Sequence, residues 1–169
     1  MKKREYLEIV DENNRSLQIR KEKLQAHLDK DWHRTTQIWV LNKEGRILVN
    51  RRSENQFQDP GKWASFFGGH LLFGEDYLKG ALREIKEELG LKVTGKRLKK
   101  VELRKNPGPN EFVQVFTLFL KPSEKISYSR KEFQKIIFIS VRELHKWAKE
   151  KPSDFSGGLN YIKDQIKQL

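Results

Sequence analysis

From residue 69 to residue 91 the chain reads GHLLFGEDYLKGALREIKEELGL. Five residues separate Gly69 from Glu75 and seven more precede Arg83-Glu84; the apolar Ile85, the pair Glu87-Glu88, then Gly90 and Leu91 complete the spacing. Glutamates placed at i, i+3 and i+4 of a helix crowd together, and each like-charge pair costs an isolated helix roughly 0.2–0.5 kcal/mol. A positive charge must answer that repulsion. Arg83 stands one turn before Glu87 and can pair with it, holding that carboxylate in place. The remaining charge suits a hard divalent cation bound by oxygens with several waters kept, Mg2+ or Mn2+. Ahead of the helix, Gly68-Gly69 lets backbone come close to a metal or a phosphate.

The elements that must carry these groups can be read from the same stretch. Alanine, leucine, lysine and glutamate fill residues 77–89, Asp76 can cap the start, and Gly90 sits where a C-terminal glycine cap belongs, so a helix of about three and a half turns is predicted. At about 100° per residue, Leu78, Leu82, Ile85 and Leu89 share one face while Glu84, Glu87 and Glu88 gather roughly opposite. One face should pack and the other collect carboxylates.

Elsewhere, alternation predicts short strands at residues 6–10 and 17–19, a helical turn at 21–28, and a strand, turn and strand at hairpin spacing over 37–41 and 46–50. Beyond the helix, strands are expected near 93–103 and 112–120, separated by Asn106-Pro107-Gly108-Pro109-Asn110, and another at 133–139. Ser140 with Glu143 forms a capping box opening a helix through about Lys149, Pro152 stops it, and a last helix is expected over 158–167. Strands in mixed order with helices on both sides make an α/β sandwich, expected as a single domain over residues 1–169.

The 169 residues carry a net charge of +12 at pH 7, so the surface field should attract anions. Its densest basic run, residues 92–105, reads either as a solvated strand-and-turn face or as a landing site for phosphate or RNA. No apolar stretch is long enough to span a bilayer and the N-terminus lacks a signal-peptide core, which predicts a soluble, cytoplasmic protein without membrane partners. The chain has no cysteine, hence no disulfide and no thiol nucleophile.

The segment from Gly69 to Leu91 resembles the signature box of the Nudix hydrolases at every defined position. Outside it, Asp11-Glu12-Asn13, His27, Trp32-His33-Arg34, Val40-Leu41, Arg51-Arg52-Ser53, Pro60-Gly61-Lys62-Trp63 and Gly69-His70 resemble one branch of that superfamily, the proteins similar to isopentenyl-diphosphate isomerase. The resemblance implies a Nudix fold, an α/β/α sandwich with a mixed β-sheet, and metal-dependent attack of water on phosphorus in a nucleoside diphosphate-linked or related compound. It implies that Glu84 and Glu88 hold Mg2+ or Mn2+, with Glu87 a third ligand and the Gly68 carbonyl a fourth. Arg83 would orient the glutamates and Glu75 would fasten the loop to the helix. Glu84 is also a candidate general base, and Glu111 or Glu132, with Glu132 favoured, would complete the site from outside the box. Arg51, Arg52 and Lys62 are candidate diphosphate contacts, and Trp32, Trp39, Trp63, Phe66, Phe67 and Phe112 are candidate stacking surfaces for a base.

The isomerases use a cysteine beside the Gly-His, which this chain lacks, and histidines near His27, His33 and His70 help them bind a second metal. Hydrolysis of a small diphosphate compound is therefore ranked first. An RNA 5′-end pyrophosphatase or an RNA-binding module of the same fold comes second, and isomerisation third.

Overall fold

A computed structural model describes residues 4–56 and 58–156. The chain opens with the antiparallel pair β1 (Tyr6–Val10) and β2 (Ser16–Glu22), followed by α1 (Lys23–Leu28). Then come β3 (His33–Leu41), β4 (Ile47–Arg52), the two-residue β5 (Trp63–Ala64), α2 (Tyr77–Leu89), β6 (Leu98–Asn106), β7 (Glu111–Phe119), β8 (Phe133–Ile139) and α3 (Val141–Glu150). The larger sheet runs β5-β4-β3-β7-β6, with β8 on β4. Among the described strands only β3 and β7 pair with each other in parallel, in the register His33 to Glu111 through Leu41 to Phe119. Such pairing needs a long crossover, here the whole stretch that contains α2.

Strand alternation divides the apolar residues into two layers. Ile38, Val40, Leu48, Phe116 and Leu118 meet Ala81, Ile85 and Leu89 of α2 on one face. Trp39, Ile47, Val49, Val113 and Val115 meet Leu144 and Ala148 of α3 on the other. This is the expected α/β/α sandwich with a mixed sheet. The β1-β2 ribbon is tied to the larger sheet by Val10 N–H donating to the Trp32 carbonyl and by the Arg34 guanidinium donating to Glu8 and Asn14.

The predicted hairpin, the strand at 133–139 and the capping box of α3 all form, the last with both reciprocal hydrogen bonds. The strand expected near 93–103 begins later, after a 3₁₀ turn at Gly95–Arg97, and runs to Asn106 because its ladder to β7 continues up to the connecting turn. β2 outruns its predicted three residues for the same reason, since β1 pairs with it as far as Glu22. The helix expected over 158–167 lies outside the described residues. Among the described residues no helix is long and apolar enough to cross a membrane.

Candidate active site

Helix α2 begins and ends where its caps dictate. Asp76 Oδ1 accepts from Lys79 N–H at 2.8 Å, and Gly90 closes the last turn at φ 67°, a left-handed conformation that glycine adopts without strain. The packing face, however, is rotated from the one expected. Gly80, Ala81, Ile85, Glu88 and Leu89 are buried, whereas Leu78 is 36% exposed. Small side chains explain the rotation: Gly80 lets the helix close on Leu71, where an added Cβ would lie 3.1 Å from that side chain, and Leu78 is left at the margin over Gly95. Glu88 therefore sits within the packing face. The carboxylates fan outward from it, through a mostly covered Glu84, to Glu87, whose side chain is 59% exposed.

One guanidinium organises this fan. Arg83 donates from Nε and Nη2 to the two Glu75 oxygens at 2.8 and 3.0 Å, and from Nη1 to Glu84 at 2.8 Å and to Glu87 at 3.1 Å. Its Nη2 also reaches the His70 carbonyl at 2.9 Å. Glu75 accepts in addition from Leu72 N–H at 2.9 Å, a contact between the loop and, through Arg83, the helix. Gly68 meets the cluster through its N–H, which donates to Glu88 Oε2 at 2.7 Å.

The two glycines are tightly enclosed. At Gly68, φ 124°, a Cβ would lie 2.3 Å from the Thr36 carbonyl oxygen, and at Gly69 it would lie 2.8 Å from Glu84 Oε1. Gly69→Ala should accordingly push the Glu84 carboxylate aside while changing the melting temperature little, since the clash is with the end of a side chain. A loss of metal-dependent turnover of about 10-fold or more, with a shift under ~3 °C, is the expected result in kinetics and thermal melts. A Tm collapse with normal specific activity would refute it.

Burial pushes the Glu84 carboxyl up to about 7, against the opposing pull of Arg83. Burial also raises Glu88 well above the usual carboxylate range; the Glu84 and Glu132 charges add to the effect, while the Gly68 N–H and Arg52 oppose it. Two buried carboxyls that resist ionisation side by side are suited to a cation that would hold both charges in place. Glu132 stands near enough for its charge to act on Glu88, and it accepts a short hydrogen bond from Gln56 Nε2.

Of the three basic residues expected at a diphosphate, the structure brings Arg52 toward Glu88 and separates the others. Arg52 shares the parity of Leu48, which faces α2, while Arg51 shares that of Ile47 and Val49, which face α3. Arg51 and Lys62 instead line an open cleft with Glu54, Trp63 and Asp154, and Lys62 lies 3.6 Å from Asp59. Adjacent residues of a strand cannot serve one face.

A second cluster brings Glu111 to the three histidines that the resemblance groups at a second metal. His27, His33, His70 and Glu111 present ligand atoms all within 4.8 Å of one another. His27 Nε2 lies 2.9 Å from His70 Nε2, and Glu111 Oε1 lies 3.6 Å from His33 Nε2 and 3.7 Å from His70 Nε2. His33 Nδ1 is 2.8 Å from the Asp31 carbonyl, an arrangement that puts a proton on Nδ1, and the buried Nε2 has no hydrogen-bond partner among the described residues and turns toward Glu111. Burial lowers the pKa of His27, and lowers that of His70 strongly, which disfavours the charged form of each. Three imidazole nitrogens and one carboxylate are a donor set that fits a divalent transition metal. Glu111 enters through the parallel register opposite His33, so it and Glu132 belong to different clusters. The clusters adjoin: His70 follows Gly69, which abuts Glu84, and its carbonyl binds Arg83.

The aromatic candidates thin out. Trp39, Phe67 and Phe112 are buried, and Trp63 stacks edge-on against Trp147. Trp32 leans on Phe112, with Lys105 over both rings, and Phe66 is partly covered. Most of the basic run lies along β6, which ends the sheet order, where exposed lysines discourage pairing with another chain.

Residues 31–156 match the NUDIX domain. Over 181 aligned residues the chain is 25% identical to Nudix hydrolase 3 of Arabidopsis thaliana, covering 97% of this chain and 23% of that protein. It is 28% identical to a prenyl-diphosphate phosphatase of Methanosarcina mazei, over 89% of this chain and 86% of that one. Among solved structures, DR0079 from Deinococcus radiodurans superposes with a TM-score of 0.75 at 18% identity, covering 95% of this chain and 98% of that chain, a likeness of fold.

Proposed function

Given that the chain belongs to the NUDIX domain family, on its isopentenyl-diphosphate isomerase-like side, we propose that it hydrolyses the diphosphate bond of a nucleoside diphosphate-linked compound by attack of water on phosphorus. The observation that carries this reading is the buried Glu88 carboxylate, fixed by Gly68 N–H beside a Glu84 that Arg83 clamps to Glu75. Glu84 and Glu88 would hold a divalent cation, Mg2+ or Mn2+, with Glu87 at the exposed rim. When bound, such an ion neutralises phosphoryl oxygens and lowers the pKa of water. In the alternative assignment Glu84, which burial pushes up to about 7 in the metal-free protein, takes the proton of an attacking water in place of binding the cation. Arg52 supplies positive charge on the same face.

The A. thaliana relative is far longer than this chain, so its whole activity does not transfer. The M. mazei relative raises prenyl diphosphates as another substrate class. Isomerisation is not proposed, because there is no cysteine beside Gly69-His70 to shuttle protons at carbon. RNA ends remain an arm of the test, motivated by the +12 charge.

The test is a screen of nucleoside diphosphate compounds, prenyl diphosphates and 5′-triphosphorylated RNA with Mg2+ and Mn2+, scored by phosphate released directly or after phosphatase coupling. Metal-dependent turnover of a nucleoside diphosphate compound is expected. A wholly negative screen would refute the hydrolase reading.

A further inference from the structure

Between β5 and the glycine pair the chain runs briefly antiparallel to β3. Phe67 exchanges both backbone hydrogen bonds with Ile38, at 2.7 and 3.0 Å, and the Gly69 carbonyl accepts from Thr36 N–H at 2.8 Å. In such a pairing the groups of the intervening residues point the other way, so the Phe66 carbonyl and the Gly68 N–H form one short outer edge. Two side chains meet that edge. Asn50 Nδ2 donates to the Phe66 carbonyl at 2.7 Å, and Glu88 Oε2 accepts from Gly68 N–H at 2.7 Å. Together they occupy the places that the N–H and C=O of one residue in a neighbouring strand would take.

Asn50 lies on β4 with the parity of Leu48 and Arg52, on the face turned to α2, and it is 1% exposed. Its Oδ1 is sealed without a hydrogen-bond partner among the described residues. An unmet buried oxygen is costly, and an apolar side chain of the same branching would avoid that cost, so what the carboxamide contributes here is its donor to Phe66. On the β3 side the segment has no slack: at Gly68, φ 124°, an added Cβ would lie 2.3 Å from the Thr36 carbonyl oxygen. Pressed against β3 on one side, residues 66–68 are fixed on the other by Asn50, one peptide before the N–H that holds Glu88.

We propose that Asn50 is a positioning residue of the carboxylate cluster: by holding the Phe66 carbonyl it aims the Gly68 N–H at Glu88, and through Glu88 it sets the affinity of the cluster for its cation. The proposal rests on the hydrolase reading for the role of Glu88 as a cation ligand.

The experiment uses the full chain, following amide hydrogen exchange by NMR in the metal-free protein and then Mg2+ affinity by calorimetry, in wild type, Asn50→Leu and Asn50→Ala. Leucine keeps the branching without the donor and alanine removes the side chain, so the two differ in packing and share the loss of the bond to Phe66. In both, the Gly68 amide should exchange about 10-fold faster or more, while the Ile38 and Phe67 amides, held by their mutual ladder, keep wild-type rates. Mg2+ should bind about 10-fold or more weakly in both. A merely structural role would speed all three amides together, in step with the melting temperature. The proposal is overturned by that pattern, or if either the Gly68 rate or the Mg2+ affinity is unchanged in both variants. Mg2+ binding by Glu88→Gln as tight as wild type would count instead against Glu88 as a cation ligand, and so against the hydrolase reading, while the Gly68 rates would still decide whether Asn50 sets the segment.

Discussion

Glu88→Gln should abolish metal-dependent hydrolysis while making the metal-free protein more stable. Glutamine keeps an oxygen to accept from Gly68 N–H, now 2.7 Å from Glu88 Oε2, and nearly preserves the volume of a residue that is 9% exposed. What it removes is a charge that burial already penalises. The sign follows from linkage: a carboxyl whose folded pKa lies above its unfolded value near 4.5 keeps its proton longer in the folded state, so stability falls as pH rises through the interval between the two. Glu84, raised to about 7, contributes the same slope, on the order of 3 kcal/mol if its shift were fully expressed. Metal-free wild type should thus melt lower at pH 8 than at pH 5 on this account, and the variant should lose less across the same range. Mg2+ or Mn2+ should raise the wild-type melting temperature at pH 8, above the Glu84 value of about 7, and should scarcely move that of the variant. Turnover should fall at least ~10³-fold, about 4 kcal/mol of transition-state stabilisation. Thermal melts at several pH values with and without metal, alongside kcat, measure all of this; a variant that keeps its metal-induced shift and its turnover would remove Glu88 from the site.

How far the sequence foretells this depends on whether the deciding interaction is local. Helix α2 was legible to the residue because Asp76 and Gly90 fix its ends through contacts within a turn. Which of its carboxylates is buried was not legible. A wheel weighted by leucines points away from Gly80 and Ala81, yet it is their small size that lets the helix settle with Glu88 inward. Period-two alternation in β4 separates Arg51 from Arg52, a signal carried by the sequence itself. By contrast, the meeting of His33 with Glu111 depends on a parallel register across more than seventy residues of intervening chain, and no short-range pattern encodes it.

Arg83 carries the other large expected effect, because it alone joins elements that otherwise repel. Its side chain, about one-fifth exposed, contacts Glu75, Glu84, Glu87 and the His70 carbonyl, and these carboxylates raise its own pKa further despite burial. The Glu87 contact contributes little, since that partner is mostly in water. The Glu75 fork and the Glu84 bond are covered, and removing the cation strands both carboxylates. Arg83→Ala should therefore destabilise the protein by about 3–5 kcal/mol and lower turnover at least ~10²-fold. Those losses alone would not separate positioning from simple charge balance. Arg83→Lys does: an ammonium restores the charge but cannot span Glu75, Glu84 and the His70 carbonyl from one plane. Denaturant melts should show the lysine variant recovering much of the lost stability, whereas kcat in saturating Mg2+ should stay low, because Glu84 is no longer aimed. Recovery of stability and kcat together would mean that charge suffices and that the planar fork, with its reach to Glu75, Glu84 and His70 at once, is dispensable.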